Sequence, residues 1–207
     1  MAGVIEFPGS GCDWRWFGSL RRVSPVDPLT RLAHRARRGD RQALDELVAA
    51  TYDQVWRLCA ALVDRQSADD VAQEAFIRAV RALPAYRGES SARTWLLAIA
   101  RYTCLDELRI RVRSRTHAAL IDDKRLAAPG DASQQSTVAD LVDRLDPDRR
   151  VAFVLTQMLG LSYAEAAQVC ECPIGTVRSR VARARRDLIE ALDDHGVGGA
   201  VEGTGPA

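Results

Sequence analysis

Helix start and stop signals recur along this chain at short intervals, and the apolar residues between them repeat at about 3.6 residues rather than two. Gly39-Asp40 opens one helix through Leu62, with Asp40 as its N-cap. Ser67 stands three residues before Asp70, an acidic variant of the capping box, and opens a second helix to Leu83 that Pro84 stops. Ala85-Tyr86-Arg87-Gly88-Glu89-Ser90 is a loop by composition, and Ser90 or Ser91 caps a long helix through roughly Arg111. Asp146-Pro147 then places an N-cap before a proline at the first helical position, and Gly160 ends the helix that follows. Ser162 and Glu165 form a second capping box over Tyr163 to Cys170, and Cys172-Pro173 turns into a last helix, Ile174 to Leu192. The expected fold class is all-α, in two small helical domains joined by a flexible linker.

The punctuation sets the expected boundaries. Residues 1–28 mix Gly, Pro and Ser with Trp14, Trp16 and Phe17 and show no period, which reads as a poorly ordered extension. Residues 29–113 form the first lobe, and 138–193 the second. Between them, 114–137 loses periodicity and collects Pro129, Gly130 and Ser133 to Ser136, a linker with at most a short helical turn around Ala118 to Ile121. The glycine-rich 194–207 is a flexible tail.

Charge narrows the function only locally. With 29 basic and 28 acidic residues the net charge is +1, so affinity for a polyanion has to come from a patch. Lys124 is the only lysine, a bias that a GC-rich genome explains as well as phosphate binding does. The cysteines, Cys12, Cys59, Cys104, Cys170 and Cys172, are odd in number, which argues against a secreted disulfide framework and for a reducing cytoplasm. Cys170 and Cys172 have no neighbouring histidine pair, so no metal site is expected, and none of His34, His117 and His195 lies in a catalytic context. No apolar run approaches about 18 residues, so no membrane insertion is expected. No phosphate loop or nucleophile-base pairing stands out either, so no enzyme activity, catalytic residue or cofactor is expected.

The last two helices have the form of a helix-turn-helix, whose second helix enters the major groove. At about 100° per residue, Val177, Val181, Ala184 and Leu188 fall in one narrow sector. Ser179, Ala182, Arg183 and Arg186 face the opposite way, flanked by Arg178 and Arg180. Residues 174–186 hold five arginines and no acid. Such a face favours closely spaced phosphates, although an amphipathic terminal helix with solvated arginines would share the pattern.

In the Ser67 to Leu83 helix, Val71, Ala75, Phe76, Ala79 and Leu83 make an apolar face, leaving Asp70, Gln73, Glu74, Ile77 and Arg78 outside. An isoleucine among exposed acids and amides is either a protein contact or a tolerated surface residue. The loop and helix that follow supply aromatic faces and positive charge of the kind a splayed single strand requires, in Tyr86, Arg87, Arg93, Trp95, Arg101 and Tyr102. Trp95 in such a helix is more often a core tryptophan than a base reader.

Two stretches carry a family resemblance. Ser162 to Ala167, then Cys172-Pro173-Ile174-Gly175-Thr176-Val177-Arg178-Ser179-Arg180 and Arg183-Ala184-Arg185, resemble region four of the extracytoplasmic-function sigma factors of the sigma-70 family, which reads the minus-thirty-five promoter element. The resemblance implies that Arg178, Ser179, Ala182 and Arg183 face bases and that Thr176, Arg180 and Arg186 hold phosphates. Asp69 to Ala79 resembles the region-two signature that grips the beta-prime coiled coil of RNA polymerase, which implies core contacts at Asp70, Gln73, Glu74 and Ile77. Tyr86 to Ser91, with Arg93-Thr94-Trp95-Leu96 and Ile99-Ala100-Arg101, is similar to the family segment that opens promoter DNA. Minus-ten contacts are thereby implied at Tyr86, Arg87, Ser90, Arg93, Thr94, Trp95, Arg101 and Tyr102.

What the resemblance implies is an alternative sigma factor, acting in the cytoplasm. Its partners are core RNA polymerase, through the beta-prime and beta subunits, and promoter DNA, both duplex and melted strand; an anti-sigma factor is an optional further partner. The competing expectation is a helix-turn-helix regulator that binds duplex DNA without polymerase, for which a palindromic site and a self-sufficient dimer would speak.

Overall fold

The computed structural model describes residues 27–121 and 138–196, with side chains for 27–114 and 140–193. The expectations for 1–26, 122–137 and 197–207, with Cys12 and the tryptophans near it, lie outside the described residues. All regular structure among the described residues is helical. The helices are α1 (Pro28–Arg37), α2 (Arg41–Leu62), α3 (Ala68–Ala82), α4 (Ala92–Ile121), α5 (Val138–Asp143), α6 (Pro147–Phe153), α7 (Tyr163–Cys170) and α8 (Ile174–Gly196). A 3₁₀ turn, Leu83–Ala85, carries Pro84, and a π turn, Val154–Met158, extends α6.

Most caps form where the sequence places them. The Asp40 carboxylate accepts from the Ala43 amide at 3.0 Å. Ser91 rather than Ser90 caps α4, its Oγ accepting from the Thr94 amide at 3.1 Å. Asp146 accepts from the amides of Asp148 and Arg149, and the Ser162–Glu165 box closes in both directions. One start was missed: Asp27-Pro28 repeats the Asp146-Pro147 device, with Asp27 capping α1 through the Leu29 and Thr30 amides. Residue 28 therefore belongs to the fold rather than to the extension.

Three expectations need correction. The Ser67 capping box does not form, because the Ser67 hydroxyl is engaged by Asp64 at 3.2 Å and by the Arg111 guanidinium at 2.5 Å. Helix α4 continues to Ile121, ten residues past its expected end and into the stretch read as linker, because nothing between Arg111 and Ile121 breaks a helix. The helix from Pro147 does not stay α-helical to Met158. At the π turn the Leu159 amide donates to the Val154 carbonyl, five residues back, and the Leu161 amide to Leu155.

The cores follow the periodicity. In the N-terminal lobe α2 to α4 and the 3₁₀ turn bury Val55, Leu58, Val71, Ala75, Leu83, Leu96 and Leu97, and in the C-terminal lobe α8 buries Val177, Val181 and Ala184 in one cluster with Leu155 and Val169. Helix α4 has an all-round buried stretch, Leu96-Leu97-Ala98-Ile99-Ala100. Leu96 and Ile99 pack with α1 and the 3₁₀ turn. Leu97, Ala100 and Cys104 join a cluster that runs through α2 and α3 into Leu159, Leu161 and Ala166 of the second lobe. The two lobes thus share one apolar cluster, in which α4 meets α7 and α2 meets α5, α6 and the π turn.

Two stability measurements check these assignments. Ser162→Ala removes one half of a closed capping box and is expected to lower the stability of the C-terminal lobe by about 1 kcal/mol, read as a lower urea midpoint at unchanged slope. The Arg111 guanidinium, 2.5 Å from Asp64, holds that carboxyl below its ordinary range. A carboxyl depressed in this way contributes stability above its unfolded pKa and loses it as pH falls through the folded value. Both side chains are more than a quarter exposed, so the effect is small. Asp64→Asn should flatten the acid-side fall in melting temperature, and an acid limb unchanged from wild type would show that the pair carries none of it.

Candidate interaction surfaces

The first surface is the outward side of α8. Burial of Val177, Val181 and Ala184 fixes the roll of the helix, so Arg178, Ser179, Ala182, Arg183 and Arg186 are all exposed. Arg178, Arg183 and Arg186 make no ion pair among the described residues. An exposed guanidinium row with no carboxylate partner keeps its donors for an external acceptor. The remaining positions differ. Ser179 returns its hydroxyl to the Thr176 carbonyl at 2.9 Å, and half-buried Arg180 pairs with Asp148 and reaches Cys172 Sγ at 3.7 Å. The Cys172-Pro173 turn, with Glu171 in the left-handed region at φ 52°, sets α8 across α7.

A second surface lies on α3. Asp70 and Gln73 are exposed, and Glu74 is half-buried and pairs with Arg78 at 2.8 Å. Arg78 is itself held by Asp106 of α4 at 2.6 Å, which fixes this end of the surface to the lobe. Ile77 is 46% exposed, and Val80, one helical step away, is 44% exposed. Val80 was not picked out from the sequence, although its i, i+3 spacing from Ile77 was the available signal. Together they make a small apolar patch bordered by acid and amide groups.

The third surface is the N-terminal half of α4 with the loop before it, and here the structure divides the expected residues. Tyr86 is 4% exposed, donates its hydroxyl to the Ser90 carbonyl at 2.7 Å and packs against Trp95 at 4.9 Å between ring centroids. Burial also pushes the Tyr86 phenol up from its ordinary value. Ser90 and Thr94 are buried as well, Thr94 bonded to Ser91. In the folded chain these three are buried, with the Tyr86 hydroxyl on the Ser90 carbonyl and Thr94 on Ser91, and Trp95 is the half-buried lid of that cluster. His34 lies half-buried beside the Tyr86 ring. Arg87 is exposed, and Arg93, Arg101 and Tyr102 are half-buried. The Arg101 guanidinium carbon lies 5.4 Å from the Tyr102 ring centroid, and Arg101 Nε is buried without an acceptor.

No group of three or more metal-ligating side chains occurs among the described residues, and no described helix is long and apolar enough to cross a membrane.

Comparison with known proteins places family descriptions over both lobes: "Sigma-70 region 2" matches residues 47–114 and "Sigma-70, region 4" matches 136–188. The ECF RNA polymerase sigma factor SigC of Mycobacterium tuberculosis is 47% identical over 173 residues, covering 81% of this chain and 92% of the relative. The ECF RNA polymerase sigma-E factor of Escherichia coli K12 is 34% identical over 178 residues, covering 79% and 91%. Among solved structures, CnrH in complex with the cytosolic domain of CnrY superposes with a TM-score of 0.64 at 28% identity, covering 81% of this chain and 99% of that one. The sigma factor RpoE with the anti-sigma factor NepR from Bartonella quintana gives 0.62 at 25% identity, covering 72% and 96%.

The cysteines yield a chemical check on this geometry. Burial pushes the Cys170 thiol up to about 12, and Cys104 is raised far above the ordinary range by its contact with Cys59 and by burial. A thiol kept protonated is a poor nucleophile. Among the described cysteines only Cys172 is part-exposed, so a thiol reagent followed by peptide mapping should label Cys172 first and leave Cys59, Cys104 and Cys170 unreacted in the folded chain. Labelling of Cys170 at the rate of Cys172 would contradict the packing of α7.

Proposed function

Because the chain belongs to the sigma-70 family, as an RNA polymerase sigma factor of the extracytoplasmic-function group, we propose a division of its promoter-recognition work among the three surfaces. Asp70, Gln73, Glu74 and Ile77, extended by Val80, contact core polymerase. The outward side of α8 contacts the upstream promoter element as duplex, with Arg178, Ser179, Ala182 and Arg183 toward bases and Thr176, Arg180 and Arg186 toward phosphates. Arg87, Arg93, Arg101 and Tyr102 engage the melted strand, on a frame made by Tyr86, Ser90, Thr94 and Trp95. The boundaries proposed for the working units are 28–121 for the first lobe and 138–193 for the second.

The observation that carries this reading is the coexistence of two outward surfaces of different chemistry in one chain: an acid-and-isoleucine face on α3 and an arginine face on α8. A regulator that acts on duplex DNA alone has use for the second and not for the first. Strand opening then needs no bond chemistry from the protein. Preferential binding of unpaired bases shifts the closed-to-open equilibrium of the promoter, as any ligand shifts a population. Such a factor works in the compartment that holds the polymerase, and an anti-sigma factor would compete for these same surfaces.

Run-off transcription with purified core polymerase on genomic promoter fragments tests the division. Specific transcripts should appear only when the chain is added, and Glu74→Arg should lower core binding while leaving duplex binding by the chain intact. Arg183→Ala should cost roughly 1 to 3 kcal/mol of upstream-element recognition if the guanidinium reads a base edge. An equal loss on every duplex sequence would move Arg183 to the phosphate group, and tight dimeric duplex binding with no transcript from any promoter would overturn the polymerase assignment.

A further inference from the structure

We propose that the outward face of α1, with the corner into α2, binds the phosphate backbone of the duplex that adjoins the melted segment, so that Arg31, Arg38 and Arg41 hold paired DNA beside the strand that Arg87 takes. The inference rests on the strand assignment of Arg87 made above. Residues 28–41 carry five arginines and a single acid, Asp40, in a chain whose net charge is only +1. They also precede residue 47, where the match to region 2 begins. Burial of Thr30, Ala33 and Ala36 fixes the roll of α1. At about 100° per residue, Arg31, Arg35 and Arg38 then share a sector roughly 60° wide on the opposite side. All three are exposed, as is Arg41.

Internal partners take two of these arginines. Arg35 pairs with Asp40 at 2.7 Å, and Arg37 donates to the Tyr86 carbonyl at 2.9 Å. Asp40 is also committed to the Ala43 amide as the cap of α2. Arg31, Arg38 and Arg41 make no ion pair among the described residues. Helix electrostatics does not account for them either. A cation is favoured in the last turn of a helix, which suits Arg35 and Arg37, but Arg31 closes the first turn of α1 and Arg41 is the first residue of α2, whose first turn holds no acid. Positive charge at those two places opposes the helix dipole, and an external polyanion is what would offset it.

The neighbouring loop identifies the partner. The Arg37 bond ties α1 to the residue before Arg87, and a Cβ on Gly88, at φ 74°, would come within 2.7 Å of His34 Nε2. The face of α1 therefore runs beside the loop that presents exposed Arg87, and the two form one basic rim. Residues 28–41 contain no Phe, Trp or Tyr. A single strand is gripped by charge and stacking rings together, whereas guanidinium groups alone match a duplex backbone, whose phosphates follow every 3.4 Å or about that along each strand.

Phenylglyoxal footprinting of the holoenzyme assembled with purified core polymerase, read by peptide mass spectrometry, tests this with two probes. One is an oligo-thymidine strand of about 12 nucleotides, and the other is the same strand extending from a mixed-sequence duplex of about 20 base pairs. Both should protect Arg87. Arg31, Arg38 and Arg41 should react at least about threefold more slowly with the forked probe and at an unchanged rate with the strand. The triple variant Arg31→Gln, Arg38→Gln, Arg41→Gln should lower the slope of log affinity for the fork against log salt by about 2 to 3 and keep the wild-type affinity for the strand. It should melt no lower than wild type, since two of its changes remove charges that oppose a helix dipole. Protection of the three arginines by the strand alone would overturn the duplex assignment, and protection by core polymerase before any DNA is added would make the face a polymerase contact instead. If Arg87 is protected while the three react alike with and without the fork, the proposal is wrong and the strand assignment stands. If neither probe protects Arg87, the strand assignment fails and takes this inference with it.

Discussion

Every functional surface of this molecule is referred to the buried middle of α4. Leu96 to Ala100 is apolar on all sides, so this stretch cannot face water in any direction and must be packed all the way round. On one side it takes α1 and the 3₁₀ turn, on another α2 and α3, and on the remaining side α7. The orientation of α3, and hence of its Ile77 and acid face, follows from that packing and is pinned by Arg78 between Glu74 and Asp106. The Tyr86–Trp95 cluster likewise leans on the first turn of α4 and fixes the loop that presents Arg87.

Polar chemistry at the edges of that core is divided between structure and recognition by burial. Arginines that meet carboxylates, such as Arg78, Arg111 and Arg149, serve as ties between helices. Among the arginines without a carboxylate, Arg178, Arg183 and Arg186 of α8 are exposed and open to an anion, whereas Arg93 and Arg101 are half-covered and provisioned with weaker neutral acceptors or none. The same residue type thus ties helices together, stands open to solvent on α8 and lies half-covered on α4, and the difference lies in what each guanidinium finds within reach.

Much of this was legible in the sequence. Where a cap and a period agree, as at Asp40, Asp146 and Ser162 with Glu165, the helix starts where expected, because the local hydrogen bonds that define the start involve residues a few positions apart. The roll of α8 was legible for the same reason. Failures occur where a distant partner intervenes. Ser67 does not cap α3 because Arg111, 44 positions away, takes its hydroxyl. Tyr86 reads as a stacking platform by type and lies buried in the fold, since only the tertiary structure brings Trp95 and His34 against it. The Arg93–Leu159 contact left no local signal, as it depends on how one lobe meets the other.

In the proposed division of surfaces, one chain touches polymerase through α3 and upstream promoter DNA through α8 at the same time. Site-specific photocrosslinking within an assembled initiation complex tests it most directly, with a crosslinking residue placed at Ile77 in one sample and at Ala182 in another. Ile77 should join to the beta-prime subunit and Ala182 to upstream duplex DNA. An Ile77 position that joins to DNA or to nothing, or an Ala182 position that joins only to protein, would contradict it.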